Sequence, residues 1–217
     1  MKKLIFILTL VIGSSVFASA QTSSDYKKGE FYVGYSNGQI DTGIDTGNSV
    51  NAFLRDRANF NGFEVAGVYN VSRYVGLKAD VSGVYNSTRF QQTFGTGTTA
   101  QTVTVNTNNS LYNVLGGVQI KDNSTETRFK PFVHALIGAG IGRTSIKDVS
   151  CTTSTVFNCS SIGANTDTGF AGAFGGGLDV KLTDHVDLRA FQVDYNPVRS
   201  SGVTDNNIRL GIGIVIK

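Results

Sequence analysis

Apolar residues recur at every second position through eight separate segments of this chain, and almost no stretch repeats with the period of a helix. Such alternation places successive side chains on opposite faces of a strand, so it predicts an all-β fold. Most of the segments have the roughly 9 to 11 residues that a tilted strand needs to cross a bilayer. The predicted strands cover residues 30–36, 62–70, 75–85, 111–121, 129–142, 170–182, 186–195 and 208–217.

The connections between these segments alternate in length. Long connections are expected at 37–61, 86–110 and 143–169 and a moderately long one at 196–207, whereas 71–74 and 183–185 are short and 122–128 is fairly short. Long and short connections therefore fall at opposite ends of the strands, as in outer-membrane barrels with short periplasmic turns and longer extracellular loops. The pattern predicts an eight-stranded antiparallel up-and-down transmembrane β-barrel.

The two faces of the predicted strands differ sharply in polarity. One face is apolar and carries no charge, as in Leu77, Ala79 and Val81, whereas the other holds the charged residues, such as Lys78 and Asp80. An Arg or Lys facing lipid at the bilayer midplane would cost about 2 to 4 kcal/mol, so this segregation fits an apolar face turned to lipid.

A secreted lipocalin-like barrel is the soluble alternative, and it would need the apolar face inside. The positions of the aromatic residues favour the membrane barrel, because they fall at strand ends and form two girdles. The outer girdle is predicted to contain Tyr35, Phe63, Tyr85, Tyr112, Phe170 and Tyr195, and the inner girdle Phe31, Tyr69, Tyr74 and Phe129.

The first twenty residues have the layout of a secretory signal peptide. Lys2 and Lys3 precede an apolar run at 4–12, and Ala18-Ser19-Ala20 matches an A-x-A cleavage site. We expect a cleaved signal at 1–20, an N-terminal periplasmic segment at 21–29 and a barrel domain at 30–217. The predicted location is the outer membrane of a Gram-negative-type bacterium.

The net charge of the mature chain argues against nucleic acid as a partner. The chain has 19 Lys+Arg and 16 Asp+Glu, and removing the two signal lysines leaves 17 − 16, a net charge of +1. A nearly neutral chain lacks the basic footprint of a nucleic-acid binder. No run of 18 apolar residues follows the signal, so a helical membrane span is not expected either.

The charged face should line a lumen that, in an eight-stranded barrel, is just wide enough for side chains. Antiparallel register about the turn at 183–185 places Asp179 opposite Arg189. The last hairpin brings Asp194 near Arg209, provided that a bulge near residues 191–192 exchanges the two faces of the strand.

These charges are predicted to form a ladder of buried ion pairs that fills the lumen. An ion or proton pathway through the same residues is the functional alternative. The predicted luminal network consists of Glu64, Lys78, Asp80, Asp179, Arg189, Asp194 and Arg209.

The sequence gives little support for catalysis. His134 is expected inside the lumen and His185 in a periplasmic turn, whereas an enzyme acting on lipid head groups needs its His at the outer rim. No nucleophile-elbow, zinc-protease or P-loop motif occurs. We therefore expect no enzymatic activity, no cofactor and no metal site.

Two features lie in the predicted extracellular loops. Cys151 and Cys159 are expected to form a disulfide, because secretion takes the chain through an oxidising periplasm. Alternation also continues through 86–94 and 102–108, which predicts a hairpin projecting beyond the membrane. Its edge could recruit another chain by β-augmentation, or it could be a polar solvated loop.

The chain resembles the small outer-membrane β-barrel family that includes the transmembrane domain of outer membrane protein A and the opacity-type porin-like proteins. The resemblance covers essentially the whole mature chain and is carried by residues 128–140 (RFKPFVHALIGAG), 174–179 (FGGGLD), 188–195 (LRAFQVDY) and 208–216 (IRLGIGIVI). It implies the barrel but no particular activity. Family members usually end in an aromatic residue that the outer-membrane assembly machinery recognises, whereas this chain ends in Ile216-Lys217.

The sequence thus predicts a monomeric structural barrel with a filled polar lumen, with a role in envelope integrity or surface contact. A narrow porin or channel and a loop-borne adhesin or binding module are the alternatives. The expected partners are outer-membrane lipid and, during biogenesis, the assembly machinery. No peptidoglycan-binding domain is recognised, so a tether to the cell wall is not expected.

Overall fold

The strands close into one barrel. The computed structural model describes residues 26–41, 57–94, 101–124, 126–151 and 163–217, so the predicted signal peptide lies outside the described residues. Each strand pairs antiparallel with its neighbours in the chain, and β1 also pairs with β8, which confirms the predicted eight-stranded barrel. The strands are β1 (Gly29–Asp41), β2 (Arg57–Asn70), β3 (Val75–Phe94), β4 (Gln101–Lys121), β5 (Phe129–Cys151), β6 (Asn165–Lys181), β7 (Val186–Ser200) and β8 (Val203–Ile216).

The periplasmic ends of the strands lie within a residue or two of their predicted positions, but the outer ends reach much further. Residues 196–207, expected as a moderately long loop, instead form paired strand ends around Ser201 and Gly202. Both turn residues have positive φ, 49° and 86°, as a two-residue type I′ hairpin requires. The loop prediction was wrong because alternating apolarity ends at the membrane boundary, whereas strand pairing continues beyond it.

The outward face of the barrel is apolar between two aromatic girdles. Val133 and Ile137 on β5, for example, each expose 56% of their surface. Tyr112 is half-buried and packs edge to face on Tyr85, with the ring centroids 5.5 Å apart. The other predicted girdle residues are exposed at the strand ends. Those of the outer girdle are Tyr35, Phe63, Tyr85, Phe170 and Tyr195, and those of the periplasmic girdle are Phe31, Tyr69, Tyr74 and Phe129. No helix of the described residues is long and apolar enough to cross a membrane.

Three strands extend well past the outer girdle. β3, β4 and β5 contain 20, 21 and 23 residues, whereas the other five contain 13 to 17. β3 and β4 pair up to Phe94 and Gln101, and β4 and β5 pair up to Val103 and Cys151. The predicted projecting hairpin is therefore present, and it is widened by β5 into a three-stranded sheet, which we call the projecting sheet.

Glycine allows close approach of backbones inside the barrel wall. A Cβ added to Gly138 on β5 would lie 2.1 Å from the carbonyl oxygen of Val114 on β4. At the seam between β1 and β8, Gly34 and Gly213 are register partners, and the ring of Tyr32 lies against both. A side chain at these positions would displace backbone or ring atoms.

Candidate functional site in the lumen

The periplasmic half of the lumen holds a dense set of buried charges. Among the described residues, six buried acids are balanced by five buried bases and by Lys217, whose side chain is 5% exposed. This balance fits a closed interior, where an uncompensated charge would be costly. The acids are Glu30, Glu64, Asp80, Asp179, Asp187 and Asp194, and the five bases are Lys78, Lys121, Lys130, Arg189 and Arg209.

A β-bulge in β7 determines which side chains reach this interior. The register shifts between Arg189 and Gln192, so that Ala190 and Phe191 both lie on the outer side of the wall. Arg189, Gln192 and Asp194 are consequently all buried inside. The predicted bulge is confirmed, and without it Asp194 would face lipid.

Near the periplasmic end, a chain of ion pairs crosses the lumen. Lys121 Nζ lies 2.5 Å from Glu30 Oε2 and 3.1 Å from Asp179 Oδ2. Asp179 also accepts two hydrogen bonds from Arg189, from Nε to Oδ1 at 2.8 Å and from Nη2 to Oδ2 at 3.1 Å. The guanidinium group of Arg189 lies between the rings of Tyr32 and Phe132, 4.3 and 4.1 Å from their centroids. The N–H edge of the guanidinium group is therefore hydrogen-bonded to a carboxylate, and its flat faces contact two aromatic rings.

Gln192 connects this layer to the next one. Its carbonyl oxygen accepts a hydrogen bond from Arg189 Nη1 at 2.8 Å, and its amide nitrogen donates to Glu64 Oε1 at 2.9 Å and to Asp194 Oδ2 at 2.8 Å. Arg209 then bridges two carboxylates, with Nη1 2.8 Å from Asp80 Oδ1 and Nη2 2.7 Å from Asp194 Oδ2. The network is therefore continuous from Glu30 to the middle of the barrel.

The innermost members of the network surround His134. Its Nε2 lies 3.0 Å from Asp194 Oδ1, and its Nδ1 lies 3.4 Å from Lys78 Nζ. Lys78 is also 3.5 Å from Glu64 and from Asp80. The structure thus brings all seven predicted luminal residues into one network and adds His134, which the sequence placed inside without a partner.

The periplasmic mouth is closed by side chains and by the start of the described chain. Asp187 pairs with Lys130 at 3.8 Å and with Lys217. Asn70 donates its backbone N–H to the carbonyl of Lys28 and its side-chain amide to the carbonyl of Lys27, both at 2.8 Å. The N-terminal segment is therefore fixed across the rim, and His185 lies exposed in the nearby β6–β7 turn.

The outer half of the lumen differs from the prediction of a polar filling. It contains a packed apolar cluster on the inner face, beginning next to His134 with Leu136. The outer half combines this cluster with a buried amide pair, Asn113 and Asn196, so the expectation of a lumen filled by ion pairs holds only for the periplasmic half. The cluster consists of Phe60, Val84, Leu111, Leu115, Leu136, Ala171, Ala173 and Val198.

One sequence signal could have revealed this cluster. Strict alternation is broken where two apolar residues are adjacent, as in Val114-Leu115 and Leu136-Ile137. In each pair one member faces lipid and the other faces the lumen, since Val114 and Ile137 are 53% and 56% exposed whereas Leu115 and Leu136 are buried. Consecutive apolar residues in a barrel strand therefore indicate an apolar interior.

Above the cluster, the lumen widens into an outer cavity of about 550 Å³, which we call the vestibule. Phe60, Leu111 and Val198 form part of its floor, and Asp41, Asp167 and Asp205 lie among the polar residues of its wall.

Within the described residues, no cluster of His, Cys, Asp and Glu has the arrangement needed to hold a metal ion. Cys159 lies outside the described residues, so its pairing with Cys151 stays a prediction.

A closed eight-stranded barrel with a lipid-facing apolar belt, aromatic girdles and a charge-compensated interior defines the class of small outer-membrane β-barrel proteins. The family model described as "Outer membrane protein beta-barrel domain" matches residues 6–214, and the chain belongs to this family. Its location is therefore the Gram-negative outer membrane. A search of curated protein sequences gives no match to this chain.

Solved structures of the same architecture were found at low sequence identity. The attachment invasion locus protein Ail of Yersinia pestis, in complex with the heparin analogue sucrose octasulfate, is 16% identical, with a TM-score of 0.51 over 87% of this chain and 98% of that one. Neisserial surface protein A is 11% identical, with a TM-score of 0.45 over 87% and 96%. Outer membrane protein OprG of Pseudomonas aeruginosa is 13% identical, with a TM-score of 0.43 over 88% and 96%. The similarity to Ail shows the fold.

Proposed function

We propose that this protein is a sealed structural barrel of the outer membrane, which contributes to envelope integrity and conducts no solute. The observation that carries this proposal is that two successive layers of side chains, one charged and one apolar, fill the lumen. The ion-pair network fills the periplasmic half and the apolar cluster fills the outer half.

Both layers oppose conduction. An ion entering from the periplasm would have to displace a partner from a pair such as Arg209 and Asp80, and such buried pairs are costly to break. Beyond His134, the buried side chains of Leu115 and Leu136 offer no polar group to a hydrated ion. The channel alternative would require both layers to open together.

Planar-bilayer recording with the purified protein tests this proposal. The wild-type barrel should show no conductance steps at neutral pH. Leu136→Gly is expected to produce them if the apolar cluster is the barrier, whereas Ile137→Gly on the lipid face is the matched control and should stay silent. Steady conductance of the wild-type protein would contradict the proposal and favour the channel.

A second candidate, surface contact, is supported by the projecting sheet. Beyond Tyr85, β3 has no strand partner on its β2 side, and beyond Thr144, β5 has none on its β6 side, among the described residues. Open strand edges present unpaired backbone donors and acceptors to an extended peptide of another chain. We infer that contact would occur by strand addition at one of these edges.

Shortening the projecting sheet separates this candidate from a purely structural role. Thr88 and Thr107 are register partners, so replacing 89–106 by Asn-Gly keeps the hairpin in register. Cells carrying the shortened barrel should keep envelope integrity, measured by exclusion of a hydrophobic dye, and lose adherence to other cells. Unchanged adherence would exclude contact through the sheet.

A further inference from the structure

Two arginines lie on the lipid-facing side of the wall, just beyond the outer girdle. On β5, Arg143 follows Ile141 by two residues, and Ile141 is 36% exposed on the outward face. On β7, Arg199 follows Tyr195 by four residues, and Tyr195 is 42% exposed on the same side of the wall. An even spacing keeps side chains on one face of a strand, so both arginines face outward, and both are exposed.

The end of β6 runs between these two arginines. Thr166 is the register partner of Arg143, and Phe170 is the register partner of Arg199. Thr168 lies between Thr166 and Phe170 on the same outward face, and all three side chains are exposed, that of Phe170 by 61%. Two hydroxyl groups and a girdle ring therefore lie between the two guanidinium groups. We call the surface formed by these five residues the arginine face.

Neither arginine of this face has a counter-ion in the protein. Among the described residues, the side chains of Arg143 and Arg199 form no ion pair and no hydrogen bond. Arg73 at the opposite rim differs, because it pairs with Asp122 at 3.0 Å. Two exposed cations at the boundary of the lipid belt are thus left to interact with groups outside the chain.

The nearest carboxylate of β6 lies on the other side of the wall. Asp167, between the two threonines, lines the vestibule and accepts hydrogen bonds from Ser200 and Ser201. Arg143 also borders the vestibule, because the pairing of β5 with β6 ends one residue further on, whereas Arg199 and the two threonines do not. The arginine face therefore carries two positive charges and no negative one.

The depth of this face is that of the lipid head groups. Aromatic girdles lie at the membrane–water interface, and the arginine face includes one residue of the outer girdle, Phe170. A guanidinium group binds phosphate oxygens through two parallel hydrogen bonds, and a threonine hydroxyl can donate to a further oxygen. Basic residues near a membrane surface attract anionic lipid. Charge, hydrogen-bond donors and depth thus agree on one kind of partner.

We propose that the arginine face binds the phosphorylated head group of an anionic lipid in the outer leaflet. Arg143 and Arg199 contact the head group from its two sides, and the hydroxyls of Thr166 and Thr168 donate to its remaining oxygens. An acyl chain of the same molecule extends along Phe170 and the apolar belt below it, since the face is continuous with that belt. This site lies outside the barrel and does not depend on whether the lumen is sealed.

Native mass spectrometry of the protein in a neutral maltoside detergent tests the proposal with a matched pair of lipids. Phosphatidic acid carries a phosphate, whereas diacylglycerol with the same acyl chains lacks it. The protein should bind phosphatidic acid about tenfold or more tightly than diacylglycerol. Equal binding of the two lipids would overturn the proposal. Inorganic phosphate should compete only weakly, and competition as strong as that of phosphatidic acid would indicate a site for a free anion and would contradict a lipid site.

Variants assign the binding to this face. Arg143→Gln and Arg199→Gln should each weaken the binding of phosphatidic acid about fivefold and leave that of diacylglycerol unchanged. Arg128→Gln is the matched control, since Arg128 is an exposed arginine beside a girdle ring, Phe129, at the periplasmic rim. It should change the binding less than about twofold. Heat-modifiable gel migration shows that each variant is folded. An equal loss in all three variants would reflect net charge alone and would refute the assignment.

Discussion

Arg189 and Asp179 are register partners on neighbouring strands, and they meet through two parallel hydrogen bonds inside the barrel, with their side chains 1% and 0% exposed. The bulge of β7 begins directly after Arg189. Arg189 and Asp179 are therefore the last regularly paired residues before the bulge. Their ion pair fixes the position of the bulge relative to β6.

Removing one partner of this pair should destabilise the barrel strongly. Asp179→Ala leaves Arg189 and Lys121 buried without a shared carboxylate, and we expect the free energy of unfolding to fall by about 3 to 5 kcal/mol. Urea unfolding in lipid vesicles measures the change. Asp184→Ala removes the exposed carboxylate that pairs with Lys181 and should leave the midpoint unchanged. Equal midpoints for the two variants would contradict a stabilising role for the luminal pair.

The bulge itself can be removed by deleting Ala190. Ala190 and Phe191 both lie on the outer side of the wall, so the deletion leaves one outward residue before Gln192, and Gln192 and Asp194 still face the lumen. We expect this variant to give a heat-modifiable folded form on gels. Deletion of Val193 instead turns Asp194 toward lipid, because a shift by one residue reverses every later side chain, and it should give no folded form. A folded Val193 deletion would show that β7 can slip to another register.

Two glycines on facing strands should differ in their tolerance of a methyl group. Gly138→Ala places a Cβ 2.1 Å from a backbone oxygen, whereas a Cβ at Gly116 meets nothing nearer than 3.9 Å. Overpacking of this kind costs about 1 to 3 kcal/mol, so Gly138→Ala should lower the urea midpoint and Gly116→Ala should not. If both variants unfold at the wild-type midpoint, the strands can separate without cost at this point.

One ion pair on the periplasmic side should make a small contribution that depends on pH. The hydrogen bond from Arg73, 3.0 Å from Asp122, lowers the pKa of Asp122 to about 2. Stability from this pair is present above the unfolded pKa of about 3.9 and is lost as the pH falls toward 2. Both side chains are partly exposed, so the contribution is below about 1 kcal/mol.

Comparison of wild type with Asp122→Asn at pH 6 and pH 2.5 isolates this effect from that of other carboxylates. The difference in unfolding free energy should be measurable at pH 6 and should decrease at pH 2.5. High salt should reduce it at pH 6. A difference that grows as the pH falls would have the wrong sign for a carboxylate with a lowered pKa.

The disulfide between Cys151 and Cys159 remains a prediction from the sequence. Mass analysis of unreduced peptides should show the two cysteines in one linked fragment. Reduction should destabilise the protein by about 2 to 3 kcal/mol, the value expected for closing a loop of seven intervening residues. Free alkylation of both thiols in the secreted protein would disprove the bridge.

The sequence predicted the wall of the barrel much better than its interior. Lipid contact requires every second residue to be apolar, so the positions of Val133 and Ile137 identify strand and face directly. The periplasmic turns are short and leave few choices of register, which is why Asp179 could be matched with Arg189. The outer strand ends carry no such constraint, because β7 from Asn196 to Ser200 lies beyond lipid and both of its faces accept polar residues.

The interior contacts that were missed join distant parts of the chain. Arg209 meets Asp80 across the lumen, and Gln192 meets Glu64. No pairwise register between neighbouring strands specifies such contacts, since they depend on the diameter and tilt of the closed barrel. The vestibule was missed for the same reason, because its floor combines Phe60, Leu111 and Val198 from β2, β4 and β7.

The seam between β1 and β8 sets the order of events in assembly. The other strand pairings join neighbours along the chain, so each can form as soon as its second strand arrives, whereas the seam joins Phe31 to Ile216 and must wait for the final strand. Until then the molecule is an open sheet with two exposed edges, and Arg209 of β8 has not yet reached Asp80 of β3. Closure is the step with the largest loop entropy and should therefore limit the rate of folding. The glycine pair Gly34 and Gly213 presents no side chain at the point where the last edge must dock.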